Sequence, residues 1–297
     1  MIGLYAKALV YTPKDFIQPI ALPEIKLSTS VLPTTKQINA YNSLTGWNQL
    51  QTTLIHPNFV QVLSLPMQLR MMVSKPFPFK PLGLVHIANQ IEVYNLPNID
   101  NSMHITTHFG QLFSHKRGVV FEVITTARKN DNISIRGTSY YLARITEKNE
   151  SDTQSLPTFK ALSAASGKNQ SEVVDIDAFG FSEDCGRRYA RVSGDYNPIH
   201  LWPITASLFG FRQAIAHGMM TKAKAFSSLY QANPSFFTSP EAAKGYQINC
   251  DFMTPIMLPS QLNLRQQQEA KFLTFDVTSI VRNKARSHMK GNISLLD

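Results

Sequence analysis

Apolar and polar positions follow two different periods along this chain of 297 residues. Residues 219–230 carry apolar side chains at three- and four-residue steps, which predicts a buried helix. The dipeptide Asn233-Pro234 predicts its end, because proline cannot continue a helix. In the first half, FVQVLSLPMQLRMMV (residues 59–73) is apolar enough to form a second buried helix, and Pro66 would kink this helix or mark its start.

Strand-like segments follow each predicted helix. GLVHIANQIEVYNLP (residues 83–97) and GYQINCDFMTPIMLP (residues 245–259) both begin with glycine and end in Leu-Pro, and they define an offset between the two halves of the chain. Three further runs rich in β-branched and aromatic residues follow each of them, with short polar breaks between the runs. These runs are residues 103–113, 119–129 and 133–145, and then residues 261–269, 272–283 and 285–296. Two sets of four closely connected strands predict antiparallel sheets.

A helix followed by an antiparallel sheet, twice, predicts two α+β units in which each sheet packs on its own helix. We place the units at residues 1–150 and 151–297, with a polar, serine-containing linker at about residues 147–173. We expect the two sheets to join edge to edge into one continuous sheet, with the linker crossing between the units. Such pairing would cover strand edges that are otherwise open to aggregation.

Composition indicates a globular protein, with 43% hydrophobic and 16% charged residues. No apolar run approaches the roughly 20 residues that a transmembrane helix needs. The amino-terminal segment lacks the charged, apolar, small-residue order of a signal peptide. Cys185 and Cys250 have no metal-ligand spacing, so we expect two unpaired thiols in a reducing compartment. These features predict a cytoplasmic protein.

The net charge of +9 is compatible with a polyanionic partner, with a substrate that carries phosphates, or with a generally basic surface. Lysine and arginine are scattered along the chain, and no block of five or six forms. The sequence has no ribonucleoprotein signature and no zinc-finger spacing. We therefore expect neither a nucleic acid nor a membrane as a partner.

The segment RVSGDYNPIH (residues 191–200) concentrates candidate chemistry. Proline disfavours the helical conformation for the residue before it, so the Asn197-Pro198 pair predicts a rigid turn. Asp195 and His200 lie five residues apart across this turn. A carboxylate and an imidazole directed at one point form a pair that can move protons at neutral pH.

The extended segment YARVSGDYNPIH (residues 189–200), with AIAHGMM beginning fourteen residues after His200, resembles the signature of the MaoC-like dehydratases. This family includes the (R)-specific enoyl-CoA hydratases, also called hydratase 2. The resemblance covers residues 173–296 well and the first half only in layout. It implies the α+β hotdog fold, in double form: two long central helices wrapped by an antiparallel sheet that joins across the two repeats.

The resemblance also implies roles for single residues. Asp195 and His200 would hold a water and transfer protons, and the backbone N–H of Gly218 at a helix start would stabilise the thioester oxygen. Asn197 would position the water or the thioester. Ser193 is a further candidate for substrate binding, and we expect its side chain to shape the turn by hydrogen bonding to the backbone. Shifting the motif back by the offset between Gly245 and Gly83 gives PTTKQI (residues 33–38), which has neither the acid nor the histidine. We therefore expect chemistry only in the second half, with the first half shaping the acyl tunnel.

Two further histidines have competing interpretations. His217 precedes Gly218, and packing at the helix start is favoured over contact with substrate. His86 lies in a predicted strand and is interpreted as a core histidine whose hydrogen bonds are satisfied, although the family has a similar position in its first unit. The methionines and phenylalanines near the two helices are interpreted as core rather than tunnel lining.

The function implied is the reversible hydration of trans-2-enoyl thioesters and dehydration of (R)-3-hydroxyacyl thioesters, in fatty acid metabolism. Coenzyme A is the favoured carrier, and acyl carrier protein is the alternative. A non-catalytic subunit that binds acyl thioesters is the alternative of a different class, and a hotdog thioesterase is a further option. No cofactor and no metal are implied. We expect a monomeric double hotdog or a homodimer.

Overall fold

The computed structural model describes residues 1–13, 20–47, 53–145, 155–165 and 172–297. Ten antiparallel strands form one sheet in the order β1-β3-β4-β5-β2-β7-β10-β9-β8-β6. The strands are β1 Lys26–Val31, β2 Val85–Val93, β3 Met103–His115, β4 Gly118–Lys129, β5 Asn132–Arg144, β6 Val174–Phe181, β7 Tyr246–Phe252, β8 Ser260–Glu269, β9 Phe272–Val281 and β10 Lys284–Leu295. All eight strands predicted from the sequence are present. The two outermost strands, β1 and β6, were missed.

The described helices are α1 Ile2–Val10, α2 Thr35–Thr45, α3 Phe59–Met72, α4 Cys185–Ser193, α5 Pro203–Ser207, α6 Gly218–Ala232 and α7 Pro234–Phe237. The two predicted helices correspond to α3 and α6 and are confirmed. Pro66 lies inside α3, so it does not mark the start of that helix. Both helices are buried along much of their length, as the apolar periodicity predicts.

The two halves of the sheet mirror one another. The order β1-β3-β4-β5-β2 in the first half corresponds to β6-β8-β9-β10-β7 in the second. Strands β2 and β7 pair antiparallel from Ala88 opposite Asp251 to Val93 opposite Tyr246. This seam confirms the prediction that the two sheets join edge to edge.

The halves also share a core. One hydrophobic cluster includes Met67 of α3, Phe226 of α6, and the seam residues Ile91 and Ile248. The buried Lys222 of α6 adds a polar connection across the seam, because its Nζ donates to backbone and side-chain oxygens of Asn89 on β2 and to the carbonyl of Ile248 on β7. The two units are therefore one packed body.

The predicted linker lies mostly outside the described residues. Residues 155–165 are described, and they cross the sheet near the seam. The Asp251 carboxylate accepts hydrogen bonds from the backbone N–H groups of Leu162 and Ser163, at 3.1 and 2.7 Å. The division of the chain at residue 150 stays a prediction.

The cysteines and the helices bear on two further predictions. Cys185 and Cys250 are both buried and unpaired, as predicted. Within the ranges that the structure describes, the helices are too short or too polar to cross a membrane.

Candidate active site

The turn from Ser193 to His200 is held by local hydrogen bonds. Helix α4 ends at Gly194, whose φ of 75° is a left-handed conformation that glycine adopts without strain. The Ser193 hydroxyl donates to the carbonyl of Tyr189 at 2.8 Å and accepts from the N–H of Asp195 at 3.1 Å. Asn197 begins a 3₁₀ turn at Pro198–His200, where its Oδ1 accepts from the N–H of Ile199 at 3.5 Å. These contacts fix the directions of Asp195 and His200.

The Asp195 carboxylate has one occupied and one freer oxygen. Its Oδ1 accepts a hydrogen bond from the Tyr5 hydroxyl at 2.6 Å and one from the N–H of Asn197 at 3.2 Å. Its Oδ2 lies 3.8 Å from Nε2 of His217. Burial raises the pKa of Asp195, but the neighbouring imidazoles and these hydrogen bonds outweigh it, and the pKa lies below its ordinary value. Asp195 is therefore ionised at neutral pH.

His200 presents a free lone pair. Its Nδ1 lies 2.8 Å from the carbonyl oxygen of Ile215, which can only accept, so Nδ1 carries the proton. The lone pair is then on Nε2. Burial lowers the pKa of His200, and Asp195 opposes this effect only in part. The ring is therefore neutral at neutral pH and can accept a proton.

His217 completes the cluster at the start of α6. Its ring stacks on His200, with ring centroids 3.8 Å apart, and its Nε2 donates to the backbone carbonyl of Asp195 at 3.1 Å. Burial and the neighbouring His200 lower its pKa to about 3, so the ring is neutral. The structure thus shows the packing role that the sequence favoured, but the packing is against the catalytic candidates themselves.

The cluster resembles a metal site in composition. One donor atom from each of Asp195, His200 and His217 lies within 4.8 Å of the others. However, Nε2 of His217, the nitrogen nearest to the carboxylate, faces a carbonyl oxygen and therefore carries a proton rather than a lone pair. The geometry suits a bound water better than a cation, and the absence of a metal stays a prediction.

Gly218 is the first residue of α6, as predicted. The first N–H groups of a helix have no partner within the helix and lie at its positive end. A Cβ at this position would lie 2.9 Å from the ring of Phe252, so only glycine fits without displacing the ring. The helix start is therefore confirmed, and the oxyanion role of its N–H stays a prediction.

A cavity of about 60 Å³ adjoins the cluster. The second half contributes Tyr189, Ser193, Asp195 and Met219, and the first half contributes Gln61, Val62, Leu65, Gln68, His86, Ser139 and Tyr141. Of the predicted site residues, Asp195 and Ser193 line this cavity, whereas Asn197 acts on the backbone of the turn. Met219 lines it and the phenylalanines do not, so most of the apolar residues near the helices are core.

The interpretation of His86 as a satisfied core histidine is wrong. His86 lines the cavity, and its Nε2 is buried without a hydrogen-bond partner. Its ring stacks on Tyr141, with centroids 4.7 Å apart. Its position in a strand predicted burial, but only the packing of β2 beside α3 and β5 decides that it faces a cavity.

The first half has a turn that corresponds to the motif, but not at the predicted position. Helix α2 ends at Gly46, with a φ of 81°, just as α4 ends at Gly194. Trp47 therefore corresponds to Asp195. The number of residues between these two positions is smaller than the number between Gly83 and Gly245. The choice of residues 33–38 as the equivalent of the motif is therefore wrong. The sequence has no acidic residue between Gly46 and Phe59, so this turn has no counterpart of Asp195. The expectation that only the second half carries the chemistry stays a prediction. Trp47 is buried and stacks on Phe226.

Tyr5 was missed by the sequence analysis. It lies on α1, and its hydroxyl reaches a carboxylate 190 residues away. The residue is 7% exposed, and burial is the largest cause that raises its pKa. An amphipathic helix could have been inferred from residues 2–10, but no spacing connects it with the motif.

Residues 166–289 match the sequence profile described as the MaoC like domain. The chain is 25% identical over 249 residues to 3-hydroxyacyl-thioester dehydratase X of Mycobacterium tuberculosis, with 82% of this chain and 80% of that protein covered. The crystal structure of that protein superposes with a TM-score of 0.69 at 21% identity, covering 92% of this chain and all of that one.

Two other solved structures have the same fold. A MaoC-like dehydratase from Phytophthora capsici gives a TM-score of 0.74 at 18% identity, with 93% of this chain and 96% of that one covered. A Mycobacterium tuberculosis protein described as having a double hotdog fold gives 0.60 at 12% identity, with 93% and 96% covered. With the mirrored sheet and the two central helices, these structural matches confirm the predicted architecture: the chain has the double hotdog fold.

Proposed function

We propose that this protein is a hydro-lyase that adds water to trans-2-enoyl thioesters and, in reverse, dehydrates 3-hydroxyacyl thioesters. The observation that carries the proposal is the convergence of an ionised Asp195 and a neutral His200 within 4.8 Å, beside a cavity. The MaoC-like domain and the dehydratase name of the Mycobacterium tuberculosis relative support the same reaction.

The two groups are suited to hold one water. One polar side-chain atom of Asp195 and one of His200 lie within 4.8 Å of one another, so a single water between the two residues can donate a hydrogen bond of about 2.8 Å to each. Oδ1 of Asp195 is occupied by Tyr5 and Asn197, so Oδ2 is the oxygen that faces the water. The second hydrogen bond goes to the lone pair on Nε2 of His200.

The reaction then needs one proton to be removed and one to be returned. As the water oxygen attacks C3, the Asp195–His200 pair takes a proton from it, and the pair delivers a proton to C2. Such general acid–base catalysis contributes typically about 10²–10⁴-fold. Dehydration runs through the same steps in the opposite order.

Negative charge develops on the thioester oxygen when C3 is attacked. The N–H of Gly218 at the start of α6 would stabilise this charge, because it has no partner within the helix and lies at the positive end of the helix dipole. Removing one such donor from an oxyanion hole costs about 10²–10³ in turnover in a well-studied protease.

The finer features of the proposal are coenzyme A as carrier and the (R) configuration of the 3-hydroxyacyl product. The net charge of +9 suits a carrier with phosphates, and acyl carrier protein remains the alternative. If basic residues bind the phosphates, added salt raises KM for a coenzyme A thioester more than it lowers kcat. An N-acetylcysteamine thioester, which has no phosphates, should show little effect of salt on KM.

A non-catalytic subunit that binds acyl thioesters is the alternative of a different class. The complete set of Asp195, Asn197, His200 and Gly218 argues against it, since binding alone needs no proton-transfer pair. The cytoplasmic location and the monomeric or homodimeric state remain part of the proposal.

The test is an assay of the purified protein with crotonyl-CoA, followed by the loss of the enone absorbance and by chiral analysis of the product. The proposal expects catalytic turnover to (R)-3-hydroxybutyryl-CoA. Stoichiometric binding without turnover would support the non-catalytic alternative, and release of free coenzyme A would indicate a thioesterase.

A further inference from the structure

Most of the residues that the first half contributes to the cavity beside Asp195 have polar side chains. Five of the seven residues that the first half contributes carry hydrogen-bonding side chains, namely Gln61, Gln68, His86, Ser139 and Tyr141. A plain alkyl chain cannot form hydrogen bonds with any of them. These side chains therefore favour an acyl group that can form hydrogen bonds.

A directional hydrogen-bond network connects several of these residues. The Tyr141 hydroxyl donates to Oε1 of Gln68 at 3.3 Å, and Nε2 of Gln68 donates to Oε1 of Gln61 at 3.0 Å and to the Ser64 hydroxyl at 2.8 Å. Oε1 of Gln61 accepts a hydrogen bond in this network, so Nε2 is the atom of the same amide that still needs a partner.

The network ends in a donor without a partner. Nε2 of Gln61 is buried and makes no hydrogen bond, and the residue as a whole is only 7% exposed. The side chain lies against Gly137 on β5, where any larger residue would collide with the amide. A buried amide N–H without a partner is unfavourable unless a bound group supplies one.

His86 supplies a second such atom in the same wall. Its Nε2 is buried without a partner, and burial, together with Lys222, lowers its pKa to about 3, so the ring is neutral. Gln61 and His86 both line the cavity, and each has one buried polar atom without a hydrogen-bond partner. Neither residue belongs to the Asp195–His200 pair.

The charge of the lining residues and the volume of the cavity limit the kind of ligand that can bind. Neither lysine nor arginine lines this cavity, and Asp195 contributes a negative charge, so a carboxylate on the acyl chain would be repelled. An apolar cavity of about 150 Å³ holds benzene, so a volume of about 60 Å³ admits only a few heavy atoms, such as the end of a short acyl chain.

We propose that the preferred substrates are short enoyl thioesters whose acyl chain carries a neutral hydrogen-bonding group, a hydroxyl or a keto oxygen, that binds Gln61 and His86. This inference rests on the proposed hydration activity and specifies its substrate class. A hydroxyl can accept a hydrogen bond from Nε2 of Gln61 and either donate to or accept from Nε2 of His86. A keto oxygen can only accept, so it binds Nε2 of His86 when this nitrogen carries the proton.

The first experiment compares four coenzyme A thioesters with the wild-type protein. They are trans-2-hexenoyl, 5-hydroxy-trans-2-hexenoyl, 5-oxo-trans-2-hexenoyl and 5-carboxy-trans-2-pentenoyl. Sites built to hydrogen-bond a substrate discriminate strongly against analogues that lack the group, so we expect kcat/KM for the hydroxy or oxo substrate to exceed that for hexenoyl by about tenfold or more. The carboxylate should be the poorest of the four.

The second experiment uses Gln61→Leu, which keeps the approximate size of the side chain and removes the amide. The selectivity ratio of the hydroxy or oxo substrate over hexenoyl should fall by about tenfold or more. Gln111→Leu, at an exposed position on β3, is the matched control and should keep the wild-type ratio. Circular dichroism checks that each variant is folded, and Gln61→Met is a second variant in case Gln61→Leu is not.

The outcomes separate this inference from the proposed function. If the wild-type protein hydrates none of the four thioesters and crotonyl-CoA is also inert, the proposed function is wrong. If it hydrates them but prefers hexenoyl, or if Gln61→Leu keeps the wild-type ratio, the activity stands and the polar acyl group is wrong. The wild-type comparison is decisive even if neither Gln61 variant folds.

Discussion

The two halves of this protein have the same strand order and the same central helix, yet they differ completely at one turn. After α4 the chain continues from Gly194 to Asp195 and on to His200, whereas after α2 it continues from Gly46 to the buried Trp47. The fold therefore repeats, whereas the Asp195–His200 motif occurs in the second half alone. This difference illustrates that activity depends on the side chains placed on a fold rather than on the fold itself.

The first half nevertheless contributes to the site. Tyr5 of α1 binds the Asp195 carboxylate, and most of the cavity wall comes from α3, β2 and β5. This half lacks the Asp195–His200 motif and contributes the polar residues Gln61 and His86 to the wall of the cavity. We therefore propose that the second half transfers protons and that the first half shapes the acyl pocket.

The largest effect is expected at the proton-transfer pair. Asp195→Asn and His200→Gln should each lower kcat for crotonyl-CoA by about 100-fold or more, because each removes a general acid–base group. His104→Gln, an exposed histidine in the first half, is the control and should keep wild-type turnover. Near-wild-type hydration by either site variant would refute the assignment.

A smaller loss is expected at the start of α6. In Gly218→Ala the new Cβ would lie 2.9 Å from the Phe252 ring, which displaces either the ring or the N–H that stabilises the oxyanion. We expect kcat to fall by about tenfold, which is less than the cost of about 10²–10³-fold for losing such a donor entirely. In the matched variant Gly83→Ala the nearest atom is 4.0 Å away, and activity should be unchanged. Equal rates for both variants would remove the oxyanion role.

Tyr5→Phe tests the contribution of the first half to the second. Loss of the hydrogen bond to Oδ1 disfavours the ionised carboxylate, so the pKa of Asp195 should rise and less of it should be ionised at low pH. We expect kcat/KM to fall several-fold, to about tenfold at most, with a larger deficit as pH decreases. The measurements are the pH profile of kcat/KM and the titration of the Asp195 carboxyl carbon by NMR in the free protein.

The titratable groups whose charge interacts with that of Asp195 are Tyr5, His86, Tyr141, Tyr189, His200 and His217. Tyr11→Phe provides the control, since the Tyr11 hydroxyl donates to the carbonyl of Ser74 at 2.7 Å and does not contact Asp195. If Tyr5→Phe and Tyr11→Phe give the same pH profile, Tyr5 only anchors α1.

The smallest effect on turnover, and a measurable one on stability, is expected at the seam. Burial lowers the pKa of Lys222 from 10.5 to about 8. Between these two values the unfolded chain binds a proton that the folded protein does not, so this group makes the free energy of unfolding rise with pH. In Lys222→Met this rise should disappear, as urea denaturation at pH 7 and pH 10 would show. An identical pH dependence in both proteins would contradict the lowered pKa of the buried lysine.

Much of the fold could be predicted from the sequence because its signals are local. Apolar periodicity marks α3 and α6, and β-branched runs mark eight strands. Strand β1, with the sequence KLSTSV, is short and half exposed, so its pattern resembles that of a loop. The offset taken from Gly83 and Gly245 failed at Gly46, because insertions between the repeats do not change the sheet but do shift the turn.

The site could be predicted only as far as its motif extends. Asp195, Asn197 and His200 are close in sequence, and Gly218 follows from the start of a helix. Tyr5 depends on the packing of α1 across 190 residues, and the polar cavity depends on the side-chain directions of α3 and β5. Tertiary packing, rather than local pattern, determines both.

The division of roles between the halves is tested most directly by one kinetic series. We would measure kcat/KM for 2-hexenoyl-CoA and 5-hydroxy-2-hexenoyl-CoA with the wild-type protein, Asp195→Asn and Gln61→Leu. We expect Asp195→Asn to lower both values by a similar factor of about 100 or more, and Gln61→Leu mainly to lower the ratio between the two substrates. If Gln61→Leu instead lowered both values equally, or if Asp195→Asn changed the ratio and retained turnover, the division of roles would be contradicted.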